Sequence, residues 1–369
     1  MMKICHVTSA HTRYDIRIFE KECTSLAQNG YEVYLIVNDD MPDEVKNGVH
    51  IISTGYVPQN RKDRMINSMK CIWEKIKEIN AAVYHLHDPE LMQLINKINR
   101  NNKLVIFDAH EDTSEQIMDK EWIPFPLRRI VSYGFDVYQK YMLKKCKSLV
   151  SVTPALVTKL KNINANVYMI TNYPVIGAFK PQNNATEKSN YVFFAGGISS
   201  QWCHERIIAA IQRVNGVKYR LAGPVDEKYL SALKNTTGWQ NVEFLGKISH
   251  LEVEEQYKKS IAGMAINECT QIKEEGTLGN TKIFEIMAAG IPVICTNYRI
   301  WSKIVNQYSC GIAVDSRSVE DIAKAIQYIF DNPQKAVAMG RNGRRAIEEV
   351  YNWSTQEKIL LDMYNAIIN

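Results

Sequence analysis

The chain of 369 residues is 46% apolar and 23% charged, with 45 Lys and Arg against 40 Asp and Glu. That length accommodates two domains with separate cores, and the apolar fraction excludes a disordered chain. A formal charge of +5 is too diffuse for the basic stripe of a nucleic-acid binder, and no apolar run reaches the roughly 20 residues that span a bilayer.

The start, Met1 to Val7, turns polar at Thr8-Ser9 before a secretory apolar stretch is complete. Eight cysteines are scattered without a C-x-x-C pair, so a non-exported, cytoplasmic protein with reduced thiols is expected. Strands are predicted at Lys3–Val7, Glu32–Val37, His50–Ser53, Val83–Leu86, Leu104–Asp108 and Leu149–Val152. Between the first two, Ile18, Phe19, Cys23 and Leu26 have helical spacing ahead of Gly30, which completes a βαβ unit. A polar stretch from Lys180 to Asn190 reads as a linker.

The pattern then restarts with strands at Tyr191–Ala195, Tyr219–Ala222, Val242–Leu245, Gly263–Ile266, Val293–Thr296 and Gly311–Val314. Alternating strands and helices imply α/β architecture with two Rossmann-like domains, 1–178 and 179–350, whose parallel sheets face a central cleft. Ligands of such sheets lie beyond the carboxyl ends of the strands.

From Glu274 to Ile294 a loop bearing Gly276 and Gly279 leads into a helix started by Asn280 or Thr281 and stopped by Gly290-Ile291-Pro292. Gly276 and Gly279 let the backbone approach a ligand closely, and the unpaired amides of the helix start suit a diphosphate. Lys282 and Glu285 share one helical face, so they either meet one ligand, Lys at phosphate and Glu at ribose hydroxyls, or form a surface ion pair.

Lys282 to Ile294 strongly resembles the donor-binding helix of family 4 glycosyltransferases, retaining enzymes of the GT-B fold. The resemblance extends through Tyr14-Asp15-Ile16-Arg17-Ile18-Phe19 with Lys21-Glu22, His85-Leu86-His87-Asp88-Pro89-Glu90-Leu91, Phe107-Asp108-Ala109-His110-Glu111-Asp112, Gly196-Gly197-Ile198-Ser199, Leu221-Ala222-Gly223-Pro224 and Tyr351-Asn352-Trp353. Several of these match a branch that builds bacterial surface polysaccharide, O-antigen or capsule. The resemblance implies a nucleotide diphosphate sugar as donor, UDP by family habit, and a glycan or polyprenyl-diphosphate-linked acceptor. It implies Glu285 on the donor ribose, backbone groups of Gly196, Gly197, Thr277, Leu278, Gly279, Asn280 and Thr281 beside diphosphate and sugar, and His110 at the transferred sugar. A C-terminal segment, 351–369, is implied to cross back to the first domain.

Two departures follow. Thr277 stands where relatives carry a second Glu, which leaves Glu275 as its substitute. Gly197 and Trp202 stand where many carry an Arg and a Lys for phosphate, which leaves Lys282, then Arg206, to stabilise the leaving group. The resemblance further implies front-face substitution, the acceptor hydroxyl attacking from the side the diphosphate leaves, which needs no protein nucleophile, in keeping with the lack of a glycosidase-type carboxylate pair.

In the first half His85, His87, Asp88, His110, Glu111 and Asp112 follow strand ends. They read either as a polar lining, with His87 and Asp88 toward the acceptor, or as a metal site. The chain has no D-x-D triplet, Asp39-Asp40 being the nearest approach, so no metal or other cofactor is expected. Asp15 and Arg17 either contact the acceptor or pair with each other. Pro124 to Lys147 holds six Lys or Arg and one acid on a helical-period stretch. It suits an anionic membrane surface or an ordinary core-packed helix. Alternatives to a transferase are a nucleotide-sugar epimerase of the same fold and a metal-dependent hydrolase using His85, His87, Asp88 and His110.

Overall fold

The computed structural model describes residues 2–110, 112–118, 123–177, 189–268 and 275–368. Glu111, Glu274 and most of the polar stretch from Lys180, up to residue 188, lie outside them. Two compact units form, one of Met1–Asn172 with Thr355–Asn369, the other of Tyr173–Ser354.

The first unit holds β1 (Lys3–Val7), β2 (Glu32–Val37), β3 (Glu44–Lys46), β4 (Val49–Ser53), β5 (Val83–Leu86), β6 (Leu104–Ala109), β7 (Ser148–Ser151) and β8 (Val167–Met169), in the order β3-β4-β2-β1-β5-β6-β7-β8. All neighbours pair parallel except β3 on β4. β3 is a three-residue edge strand carrying Glu44 and Lys46, too short and too polar to announce itself as a core strand. Inward residues of β1, β5, β6 and β7 build one core with Ile72, Ile95, Met142 and Leu143.

The second unit holds β9 (Tyr191–Ala195), β10 (Lys218–Ala222), β11 (Val242–Gly246), β12 (Ala262–Ala265), β13 (Val293–Thr296) and β14 (Gly311–Val314), in the order β11-β10-β9-β12-β13-β14. This all-parallel order reverses direction between β9 and β12, as the first sheet does between β1 and β5. Such switch points open a crevice at the carboxyl ends of the strands. Cores form on both faces, one of them around Phe284, Trp301 and Tyr257 and the other around Phe194, Tyr219 and Ile326. Gly263 in β12 lets the Lys282–Ala288 helix lie directly on the sheet, because a Cβ there would meet Ile286 at 2.5 Å.

The helix Trp353–Ile368 returns to the first unit: Gln356 Oε1 accepts from the Thr171 amide at 2.9 Å, and Asn365 Oδ1 accepts from Tyr31 Oη at 2.9 Å. Among the described residues no helix is long and apolar enough to cross a membrane. The helix Phe125–Leu143 departs from core packing. It buries Gln139, Met142 and Leu143 but leaves Leu127, Ile130, Val131, Val137, Tyr138 and Tyr141 exposed.

Candidate functional site

At the switch point of the second unit, β9 ends in Ala195 and the chain turns through Gly196 at φ +141°. A Cβ on Gly196 would stand 2.6 Å from Lys282 Nζ, and one on Gly223, also at φ +141°, would stand 1.8 Å from the Gly196 carbonyl oxygen. Two glycine turns are therefore required for this close approach. Gly197 beside them has open space.

Lys282 reaches into the gap. Its Nζ donates to the Ala195 carbonyl at 2.5 Å and lies 4.3 Å and 4.6 Å from the ring centres of Phe194 and Trp202. The residue is buried, and burial lowers its pKa against the raising influence of Glu285. Glu285, half-buried one turn on, accepts from Thr281 Oγ1 at 2.7 Å.

The loop before the helix spends several polar atoms on itself. Asn280 Oδ1 takes the Lys282 amide at 3.1 Å, Thr277 Oγ1 takes the Gly279 amide at 3.0 Å, and the Thr277 carbonyl accepts from Trp301 Nε1 at 2.9 Å, while Leu278 is buried. Free helix-end amides at all these positions are thus not what forms. Glu275 is exposed and ion-paired with Arg299 at 3.0 Å. Arg206 is held by the Ser316 carbonyl at 3.4 Å and by Glu268 at 3.6 Å, so its charge is partly matched.

At the switch point of the first unit the register sets His6 beside His85, and His87 and Asp88 follow β5. Asp88 is buried. Its Oδ2 accepts from Thr8 Oγ1 at 2.7 Å and from the Ser9 amide at 2.6 Å, and its Oδ1 lies 3.3 Å from His11 Nδ1. Burial raises its pKa, but His11 and these donors hold it well below the usual carboxylate range. Asp88 therefore ties the β1 and β5 loops together.

Asp15 caps the helix Ile16–Cys23, accepting from the Arg17 and Ile18 amides at 2.9 Å each. The Arg17 guanidinium is buried and turns to Asp108 Oδ2 at 2.7 Å, to Glu22 at 3.1 Å and to the Ile170 carbonyl at 2.9 Å. Neither the Asp15–Arg17 side-chain pair nor an outward Arg17 forms. His110 Nε2 lies 3.4 Å and His87 Nδ1 3.5 Å from the same Asp108 oxygen. Burial lowers the His110 pKa to about 4 despite Asp108, so the ring is neutral near pH 7. Burial pushes the Asp108 pKa up, but Arg17, His110 and His87 together hold it well below the usual carboxylate range, so it stays ionised. Burial raises Glu22 to about 7.

His6, Glu22, Asp108 and Tyr364 were not singled out as functional from sequence. The available signal was a polar residue inside each of the apolar strands β1 and β6. His6, Glu22, His85 and His87 offer ligand atoms within 4.8 Å of one another, as do His87, Asp108 and His110. The Arg17 guanidinium lies against the carboxylates of both sets, which disfavours a divalent cation there.

Comparison with known proteins bears on this geometry. Residues 175–346 match the family model described as glycosyl transferases group 1. That segment contains Gly196, Gly223, Lys282 and Glu285. A 78-residue stretch is 36% identical to the GDP-mannose-dependent alpha-(1-6)-phosphatidylinositol monomannoside mannosyltransferase of Mycobacterium tuberculosis, covering 21% of this chain and 20% of that relative.

Over the whole chain the fold is that of sucrose-phosphate synthase from Thermosynechococcus elongatus, with TM-score 0.78, 16% identity and coverage of 100% and 99%. It is also that of Anabaena HepE, solved with UDP and glucose, with TM-score 0.72, 10% identity and coverage of 99% and 100%. WaaG, a glycosyltransferase involved in lipopolysaccharide biosynthesis, is similar with TM-score 0.68, 13% identity and coverage of 98% and 99%. The chain therefore has the GT-B fold, two Rossmann-like α/β units.

Proposed function

We propose that this chain is a retaining, metal-independent glycosyltransferase. Its donor is a nucleotide diphosphate sugar, with UDP as the nucleotide, and its acceptor is a glycan or polyprenyl-diphosphate-linked sugar in bacterial surface polysaccharide synthesis. The observation that carries this reading is the buried Lys282 ammonium at the Gly196 turn, with Glu285 on the same short helix. A cation held where backbone can approach a ligand closely suits a diphosphate whose charge grows as it leaves. A carboxylate one turn away suits ribose hydroxyls.

In the first unit neutral His110 meets the transferred sugar, and His87 and Asp88 shape the acceptor side. The acceptor hydroxyl attacks on the face from which the diphosphate departs, and a phosphate oxygen takes its proton. The helix Phe125–Leu143 and the residues after it carry Arg128, Arg129, Lys140, Lys144, Lys145 and Lys147 against a single acid, Asp136. With its exposed apolar side chains, this surface fits an anionic membrane that presents a lipid-linked acceptor.

A thermal-shift series with UDP, GDP, ADP and their sugars tests the donor, since a ligand raises stability by RT ln(1 + [L]/Kd). Stabilisation by UDP and UDP-sugars is expected, GDP alone would reassign the base, and no response to any nucleotide would overturn the reading. Anomeric configuration of the product by NMR tests retention. Vesicle binding that ignores anionic lipid content would remove the membrane contact.

A further inference from the structure

A buried neutral imidazole has one N–H and one lone pair, so a row of such rings can carry hydrogen only in a consistent direction. In the first unit the row runs from Asp108 to the C-terminal helix. His87 Nδ1 faces Asp108, and His87 Nε2 lies 2.9 Å from His6 Nδ1. His6 Nε2 lies 3.2 Å from Tyr364 Oη, which lies 3.0 Å from His85 Nδ1. An ionised Asp108 only accepts. It therefore places hydrogen on His87 Nδ1, which makes His87 Nε2 the acceptor for His6 Nδ1–H, His6 Nε2 the acceptor for the tyrosine hydroxyl, and the tyrosine oxygen the acceptor for His85 Nδ1–H. Every junction then has one donor and one acceptor.

The same carboxylate faces His110. Its Nε2 is buried and turned to Asp108 Oδ2 at 3.4 Å, long for a hydrogen bond, so the charge of Asp108 acts more than the bond does. A lone pair pointed at that carboxylate would be repelled, whereas an N–H is attracted. Arg17 fixes the carboxylate by donating from both Nε and Nη2 to Oδ2, at 3.2 Å and 2.7 Å. The His110 side chain is 24% exposed, and its Nδ1 makes no hydrogen bond among the described residues.

We propose that Asp108, clamped by Arg17, is a positioning residue that holds His110 with its hydrogen on Nε2 and offers Nδ1 to accept a hydrogen bond from a hydroxyl of the transferred sugar. This rests on the reading of His110 as the sugar contact. It adds that the contact requires a sugar hydroxyl as donor, so a sugar lacking that hydroxyl is a poor substrate.

Long-range 1H–15N correlation spectra of the full chain labelled at histidine read the tautomer directly. The Nε2–H form of His110 is expected in the wild type, with loss of that bias in Asp108→Asn. Should Asp108→Asn not fold, His110→Asn and His110→Gln supply the second test, because their amides fall near Nδ1 and Nε2 respectively. His110→Asn is expected to retain turnover within about tenfold of wild type, while His110→Gln falls about 100-fold or more, as His110→Ala does. An Nδ1–H tautomer in the wild type overturns the proposal even where His110→Ala is inactive, and so does better rescue by Gln than by Asn. An Nε2–H tautomer with fully active His110→Ala instead removes the sugar contact, and with it the reading on which the proposal rests.

Discussion

Replacement of Lys282 by Met separates what the ammonium costs the fold from what it does for the reaction. The side chain is 7% exposed, and its hydrogen-bond acceptor among the described residues is the Ala195 carbonyl, with Phe194 and Trp202 as ring neighbours. One charge-assisted hydrogen bond returns about 1.5–3 kcal/mol and each cation–π contact about 0.5–2 kcal/mol. Desolvation of the ammonium costs several kcal/mol. The balance lies near zero or against the charge, and Met keeps most of the packed volume. Lys282→Met is therefore expected to leave the free protein as stable as wild type or up to about 2 kcal/mol more stable, a rise of up to roughly 8 °C in Tm for a unit of this size. Turnover at saturating donor should fall about 10²- to 10³-fold, the loss typical of one preorganised donor to a developing anion.

The effect on stability has a pH signature. Burial lowers the folded pKa of Lys282 below 10.5, so the unfolded chain binds more protons in the window below 10.5, and wild-type stability rises with pH there. The advantage of the Met variant should shrink as pH approaches 10.5. Urea melts across that range with single-turnover transfer assays measure both effects. Turnover within twofold of wild type would refute the leaving-group role, and a strongly destabilised variant would refute the account of the buried charge.

Glu285→Gln should raise the donor KM and nucleotide Kd about 10- to 100-fold with little change in kcat, as expected when a charge-assisted ribose contact is lost. Unchanged nucleotide affinity by calorimetry would remove Glu285 from the ribose. Gly223→Ala, whose Cβ would stand 1.8 Å from the Gly196 carbonyl oxygen, should destabilise by more than about 3 kcal/mol. Gly197→Ala, with open space at Cβ, should stay within about 0.5 kcal/mol of wild type in the same melts. Acid should weaken the second unit through His204, which is fully buried against Tyr219 Oη at 2.8 Å and lowered to about 3 by that burial. Its contribution is present above 6.5 and is lost as pH falls toward 3, so at pH 5 about 2 kcal/mol is gone. His204→Gln should flatten that slope, while Glu22, raised to about 7, opposes it in the first unit by favouring the fold at low pH.

The central strands were legible because a buried parallel strand is an apolar run whatever surrounds it. β1, β2, β5, β9, β13 and β14 fall where the sequence predicts them. β3 and β8 were not, since three residues containing Glu44 and Lys46, or the half-buried Val167–Met169, carry no such run. The helix before β2 starts at Ile16 rather than Ile18 because Asp15 caps it, and it is wound as a π-helix, which a 3.6-residue period does not describe. Lys282 and Glu285 sit within one short stretch, so local pattern finds that pair, whereas the Lys282 contact with Ala195 joins residues 87 apart. The Arg17–Asp108 contact joins residues 91 apart and the His85–Tyr364 contact residues 279 apart. The strand order, with the return of the C-terminal helix, brings them together.

The surroundings of Lys282 also account for the absence of a cation at position 202. The Trp202 ring centre lies 4.6 Å from Lys282 Nζ, whereas a Cβ on Gly197 would face open space. A Lys or Arg at 202 would set a like charge near a buried ammonium. At about 4 Å and an effective dielectric of 20 such a pair repels by about 4 kcal/mol, enough to expel one cation or deprotonate Lys282. With Trp202 in place the neighbours of Lys282 are two aromatic faces and the Ala195 carbonyl, which offset part of the burial that lowers its pKa. The missing cation at 202 and the buried Lys282 are therefore one arrangement. Restoring a cation at 202 would compete with Lys282 for the same charge, where sequence inspection alone would count it as a gain for phosphate binding.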